Sequence, residues 1–158
     1  IYKKEVFADC AAILTPTPRL PGLDGRKMSK SYGNTINLSD TPEDILAKVK
    51  AMITDPQRIR LADKGHPDVC SVFAYYKAFL PGREAEVRGW CEGALKGCTD
   101  CKKSLAEGII EYLRPVREKR AKVLADKGYV ASVLKKGAEQ ARAIAASTMK
   151  DVRQVIFG

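Results

Sequence analysis

A mainly α-helical fold is predicted for this chain of 158 residues by three observations. Apolar residues recur at helical spacing from residue 45 onward. Helix start and stop signals cut that stretch into segments, and no run after residue 40 alternates like a half-buried strand. With 30% charged and 45% hydrophobic residues, the composition is that of a globular chain long enough for a core. There is no repeat, no low-complexity tract and no apolar run long enough to span a membrane.

Residues 1–14 are too short and mixed to fold alone and read as the trailing edge of a domain whose body lies elsewhere. The chain opens on Ile1 in mid-pattern, as an excised piece would. Thr15-Pro-Thr-Pro18 and Pro21-Gly22 then impose an extended, turn-rich path. Thr41-Pro42-Glu43-Asp44 starts the first helix: a capping hydroxyl, a proline suited to the first helical position, and two acids at the positive end of the dipole. Ile45, Leu46, Val49, Met52 and Ile53 continue it until Thr54-Asp55-Pro56. A second helix is predicted over about Val69–Leu80, carrying Val72, Phe73, Tyr76 and Phe79, and Pro81-Gly82 ends it. The third runs from Glu84 to about Lys96, with Gly97 placed to cap its C-terminus. The fourth begins near Thr99 and reaches about Asp126, kinked or broken at Pro115. After Lys127-Gly128, a fifth spans about Val130–Ile156. Its stripe Val133, Leu134, Ala138, Ala141, Ile144, Ala145, Met149 and Val152 is expected to be buried. The sum is a five-helix bundle over 39–158, preceded by a glycine-rich loop.

That loop, Leu20 to Asn34, carries most of the chemistry. Lys27 and Lys30 stand among the hydroxyls of Ser29 and Ser31, with Gly22, Gly25 and Gly33 around them. Glycine lets a backbone approach a ligand closely, lysine is a mobile point charge suited to phosphate, and hydroxyls add hydrogen bonds. The combination reads as a polyphosphate clamp.

Four of the five cysteines, Cys70, Cys91, Cys98 and Cys101, follow the spacing C-x20-C-x6-C-x2-C around a helix–turn–helix junction. Four converging thiolates suit tetrahedral zinc or an iron–sulfur cluster, and spacing does not choose between them. Lys96, Lys102 and Lys103 are expected to ease thiolate formation. Cys10 stands apart as a free thiol. Charge is uneven: residues 1–100 are net +2 and residues 101–158 net +7. A basic final third points to a polyanion, most simply nucleic acid.

The run Pro21-Gly-Leu-Asp-Gly-Arg-Lys-Met-Ser-Lys-Ser-Tyr-Gly-Asn34 resembles the KMSKS loop of class I aminoacyl-tRNA synthetases, in the form typical of bacterial tryptophanyl enzymes. The likeness extends through Thr54-Asp55-Pro56 with Arg58, Gly97-Cys98-x-Asp100-Cys101-Lys102-Lys103 and Gly137-Ala-x-x-Ala-Arg-x-Ile-Ala145, and so covers nearly the whole chain. It is similar to the subset with a four-cysteine iron–sulfur site, although the gap between the first two cysteines is slightly shorter here. The resemblance implies that residues 1–38 are the C-terminal edge of a Rossmann-like catalytic domain, with the loop at 26–34, and that 39–158 form the anticodon-binding domain. It implies a cytoplasmic, homodimeric ligase that activates tryptophan with ATP and Mg²⁺ and charges tRNA(Trp). Lys27 and Lys30 would be catalytic, and Met28, Ser29 and Ser31 would join them in binding ATP. Cys70, Cys91, Cys98 and Cys101 would hold a [4Fe-4S] cluster or, alternatively, Zn²⁺. Lys102, Lys103, Arg114, Arg117, Arg120 and Arg142 would be candidate tRNA contacts. The family's HIGH signature and tryptophan pocket have no counterpart here. The competing readings are a standalone metal-stabilised RNA-binding module and the equivalent part of a tyrosyl enzyme; the Gly97–Lys103 run favours tryptophan.

Overall fold

The structure is a computed structural model that describes residues 4–15, 17 and 19–158. Residues 1–3, Pro16 and Pro18 lie outside it, and with them part of the extended path expected over 15–18. Five α-helices follow one another: α1 Pro42–Ala51, α2 Ser71–Phe79, α3 Glu84–Glu92, α4 Cys98–Ala125 and α5 Lys127–Phe157. Single 3-10 turns occupy Lys30–Tyr32, Pro67–Val69 and Pro81–Arg83. Among the described residues the only strand-like pairing is one antiparallel bridge between Pro21 and Lys27, and no helix is long and apolar enough to cross a membrane.

The chain divides into two compact units, Leu14–Glu118 and residues 1–13 with 119–158. The first holds the core. Ile45, Val49 and Met52 from α1 and its end meet Val72, Phe73, Tyr75 and Tyr76 of α2, Val87 of α3, and Leu105, Ala106, Ile109 and Leu113 of α4. α1 starts as its sequence predicts. Thr41 Oγ1 accepts from the Asp44 amide at 3.1 Å while the Asp44 carboxylate accepts from the Thr41 amide at 3.1 Å, a reciprocal capping box.

Two helix boundaries, the end of α3 and the start of α5, depart clearly from the sequence reading, and of the kink or break expected at Pro115 the break does not occur. α3 stops at Glu92, one turn early, because Ala94 enters the left-handed region at φ 53° and the chain folds back, with the Leu95 amide donating to Trp90 O at 2.9 Å. Gly97 therefore does not cap α3; its carbonyl accepts from the Cys101 amide at 3.0 Å and so opens α4. α4 runs unbroken through Pro115 to Ala125. Proline removes a donor from the helical ladder, and the Arg117 guanidinium folds back to donate to Ile110 O at 2.7 Å nearby. α5 begins at Lys127 rather than after Gly128, since the Asp126 carboxylate accepts from the Gly128 and Tyr129 amides at 3.0 Å each.

In the second unit, α5 buries no residue, and the stripe expected to be core is open: Leu134 and Ile144 are 68% and 69% exposed. The core of the first unit is built by α1 to α4 together with Leu23 of the preceding loop. Ile109→Ala should cost about 2–5 kcal/mol by emptying a packed site, whereas Thr41→Ala should cost about 1 kcal/mol by removing a cap. Urea denaturation of the two variants checks both the sizes and their order.

Candidate functional site

The loop expected to act as a clamp is knotted at its base and free at its tip. Asn34 ties the knot. It is 4% exposed. Its Oδ1 accepts from the Ser29 amide at 2.8 Å, its Nδ2 donates to Asp24 Oδ1 at 2.8 Å and to Lys27 O at 3.2 Å, and its carbonyl accepts from the Leu23 amide at 2.9 Å. Gly22 is dictated by this arrangement, because a Cβ there would lie 2.2 Å from Asn34 Nδ2. Gly25 and Gly33 supply the two left-handed turns, at φ 76° and 63°. Ser29 Oγ caps the 3-10 turn by accepting from the Ser31 amide at 3.2 Å. The loop is also fastened outward: the Ile53 amide donates to Leu23 O at 2.9 Å and the buried Tyr75 hydroxyl to Pro21 O at 2.9 Å.

On this base Lys27 and Lys30 are both exposed, Met28 and Ser29 half-buried and Ser31 exposed. Neither lysine forms an ion pair among the described residues. Lys27 and Met28, but not Lys30, line an open cleft of about 650 Å³ whose wall adds two cations that sequence reasoning missed, Arg19 and Arg26. Arg26 is aimed by Asp24, 2.7 Å from its Nε, and lies over the Tyr32 ring at 4.9 Å. The Asn34 amide and then Arg26 hold the Asp24 carboxyl down at about 2.

The four cysteines line one small pocket together with Arg58, Trp90 and Lys96, about 30 Å³ in volume and so room for roughly one water. Cys70 precedes α2, Cys91 sits in the last turn of α3, and Cys98 and Cys101 lie in the first turn of α4. All four are free thiols, as is the exposed Cys10. Gly65 lets the preceding loop reach them: its amide donates to Cys91 O at 2.9 Å, and a Cβ would stand 2.5 Å from Cys91 Sγ. Among the described residues no three His, Cys, Asp or Glu side chains are placed to hold a metal ion as they stand. At Cys91 and Cys101 burial outweighs the easing expected from neighbouring lysines. Burial, then the Cys70 sulfur, pushes the Cys101 thiol up to about 11, and burial also raises Cys91. Lys96 is spent elsewhere, its ammonium 3.8 Å from the Trp90 ring centre.

Of the basic residues, Lys102 and Lys103 line one groove with Lys50. Arg114 is paired with Glu111 at 2.8 Å and Glu118 at 3.3 Å, and Arg117 is turned onto Ile110 O. Arg120 and Arg142 belong to the second unit and are exposed. Asp55, in the stretch carried by the resemblance, is buried. Burial pushes its carboxyl up, but bonds from the Gln57 and His66 amides and the His66 ring at 2.9 Å outweigh that and hold it low.

The model of the class I tRNA synthetases (W and Y) matches residues 1–114. A tryptophan–tRNA ligase of Aquifex aeolicus is 40% identical over 158 residues, covering 99% of this chain and 40% of the relative. One from Thermotoga maritima is 43% identical over 154 residues, covering 96% and 47%. The crystal structure of tryptophanyl-tRNA synthetase from Campylobacter jejuni complexed with ADP and tryptophan superimposes with a TM-score of 0.75 at 29% identity, over 87% of this chain and 43% of that one. The chain thus spans less than half the length of these relatives.

The knot makes a pH prediction. Asp24 has a folded value of about 2 against an ordinary 3.8. Its contribution to loop stability is therefore full above about pH 4 and lost as pH falls toward 2. Asn34→Ala should return the Asp24 titration, followed by carboxyl carbon NMR, toward its ordinary range and speed hydrogen exchange at the Ser29 amide. An unmoved titration would show that Asn34 is not the group holding it.

Proposed function

The chain belongs to the class I tRNA synthetases (W and Y), and we propose that it is the part of a tryptophan–tRNA ligase that supplies the phosphate-binding loop and the tRNA-binding helices. The observation that carries this is the loop's build, a base locked through Asn34 beneath two exposed, unpaired lysines, of which Lys27 lines a cationic cleft. In the parent reaction the tryptophan carboxylate attacks the α-phosphate of ATP, giving tryptophanyl-adenylate and pyrophosphate, and the tryptophanyl group then passes to tRNA(Trp). Negative charge grows on the departing pyrophosphate. A cation that meets it there stabilises the transition state more than the ground state. Lys30 takes that role and Lys27 assists, while Met28, Ser29 and Ser31 hold the nucleotide. Mg²⁺ accompanies ATP in chemistry of this type. The catalytic division at about residue 38, the homodimer, the cytoplasmic location and tRNA contacts through Lys102, Lys103, Arg114, Arg117, Arg120 and Arg142 belong to the same proposal. Its support is the tryptophan–tRNA ligase relatives and the basic final third.

The cysteine pocket fits a thiolate-ligated group in kind, with four free thiols around one cavity and Arg58 Nη1 3.9 Å from Cys98 Sγ. Cys70, Cys91, Cys98 and Cys101 would hold it, as a [4Fe-4S] cluster or Zn²⁺. Such a group would pin the junction of α3 and α4. Anaerobic purification should give either a brown protein absorbing near 400 nm or a colourless one with zinc by elemental analysis; a protein with neither would remove the group from the proposal.

Two outcomes test the lysine assignment. In the full-length ligase, Lys30→Ala should lower tryptophan-dependent ATP–pyrophosphate exchange by about 10²–10³-fold with tryptophan affinity kept, and Lys27→Ala should lower it less. The 158-residue chain alone should show no exchange, because its sequence carries neither the HIGH signature nor a tryptophan pocket. Wild-type exchange in Lys30→Ala would overturn the role given to that lysine.

A further inference from the structure

A groove of about 480 Å³ runs between α1 and α4 within the first unit. Its floor is apolar, made by Leu46, Ala47 and the buried Ala106. Its rim is cationic: Lys50 from α1, and Lys102 and Lys103 from α4. Several arginines of this unit are neutralised within the chain, Arg83 by Glu86, Arg88 by Asp68 and Glu92, and Arg114 by Glu111 and Glu118. None of the three groove lysines forms an ion pair among the described residues. Lys102 instead donates to the Lys50 carbonyl at 3.0 Å, at the C-terminal end of α1. That bond fixes one wall of the groove and keeps a positive charge there without neutralising it.

A ligand for such a place needs a flat apolar body and negative charge on both sides of it. An acyl chain offers charge at one end only, and the α4 wall from Thr99 to Ala106 is about 10 Å long, short for a lipid tail. An unpaired nucleotide within a strand has the right form, a base face for the floor and a phosphate before and after it. We infer that the groove between α1 and α4 takes one unpaired nucleotide of RNA, its base against Leu46, Ala47 and Ala106 and its flanking phosphates against Lys50 and Lys103. This rests on the reading of the chain as RNA-binding and assigns the site within it.

The test uses the full 158-residue chain and a fluorescein-labelled single-stranded RNA heptamer, beside the same heptamer with an abasic central ribose, free nucleoside monophosphates and a tRNA(Trp) transcript. The intact heptamer should bind about tenfold more tightly than the abasic one, through burial of the base face on the apolar floor, and free monophosphates far more weakly than either. Ala47→Glu sets a carboxylate in that floor and keeps every lysine; it should remove the tenfold advantage. Lys50→Ala with Lys103→Ala should weaken both heptamers and flatten their salt dependence. Methyl NMR shifts of Leu46, Ala47 and Ala106 on adding the intact heptamer provide a readout that needs no variant. If tRNA and heptamers bind but the abasic strand binds equally well, or the three methyls do not shift, the groove assignment is wrong while the RNA-binding reading stands. If no RNA binds at all, both fall.

Discussion

Two adjacent tyrosines on α2 hold the first unit to its purpose. Tyr75 and Tyr76 are both buried, 1% and 0% exposed, and point their hydroxyls to different partners. Tyr75 donates to Pro21 O at 2.9 Å, at the root of the lysine loop, and Tyr76 donates to Cys101 O at 2.9 Å, in the first turn of α4. A buried hydroxyl left without a partner costs about 1–3 kcal/mol, so each bond is obligatory once the ring is packed. Burial pushes both phenols up to about 12, which keeps them as donors across the physiological range. One helix thereby sets the position of the lysine loop and of the cysteine pocket against a common core.

What these anchors leave loose is as informative as what they hold. The lysine loop is fixed through backbone and through Asn34, while Lys27 and Lys30 carry no partner charge among the described residues. Arg83, Arg88 and Arg114 are by contrast engaged by nearby carboxylates. Lysines without a partner charge among the described residues gather at the loop tip and at the groove between α1 and α4. Unpaired surface charge adds nothing to folding stability and self-repels. Its retention at two concave places lined by otherwise well-packed elements is the pattern of surfaces built for anions.

The sequence made much of this legible, and the failures have identifiable causes. The cap at Thr41 is a local signal and was read correctly, whereas the returning bond to the Asp44 carboxylate was not foreseen. The four cysteines could be grouped because three of them flank one short turn; their shared pocket was foreseen, their protonation was not. Counting nearby lysines treats charge as if it acted through water, whereas burial of Cys101 decides its thiol. The early end of α3 escaped notice because Ala94, not a glycine, takes the left-handed turn. The stripe on α5 has the right period for a core, yet period says only that a face is apolar; nothing local says which element will cover it. Asn34 was visible only as the last letter of a motif. Its role depends on Asp24 and Lys27, ten and seven residues away, being brought back by two turns at Gly25 and Gly33.

The junction around the cysteines closes on hydrogen bonds of its own. Arg58 donates to Leu61 O at 3.1 Å and to Lys96 O at 3.0 Å, the Gly65 amide to Cys91 O, and Tyr76 to Cys101 O. The Arg58 bonds satisfy loop carbonyls, the Gly65 bond a carbonyl at the end of α3 that has no intrahelical donor, and the Tyr76 bond ties α2 to the first turn of α4. A thiolate-ligated group would therefore add to a junction already closed, unlike the small metal domains that are unfolded without their ion. The packing that buries Tyr76 and the loop that carries Arg58 also bring the four cysteines around one pocket.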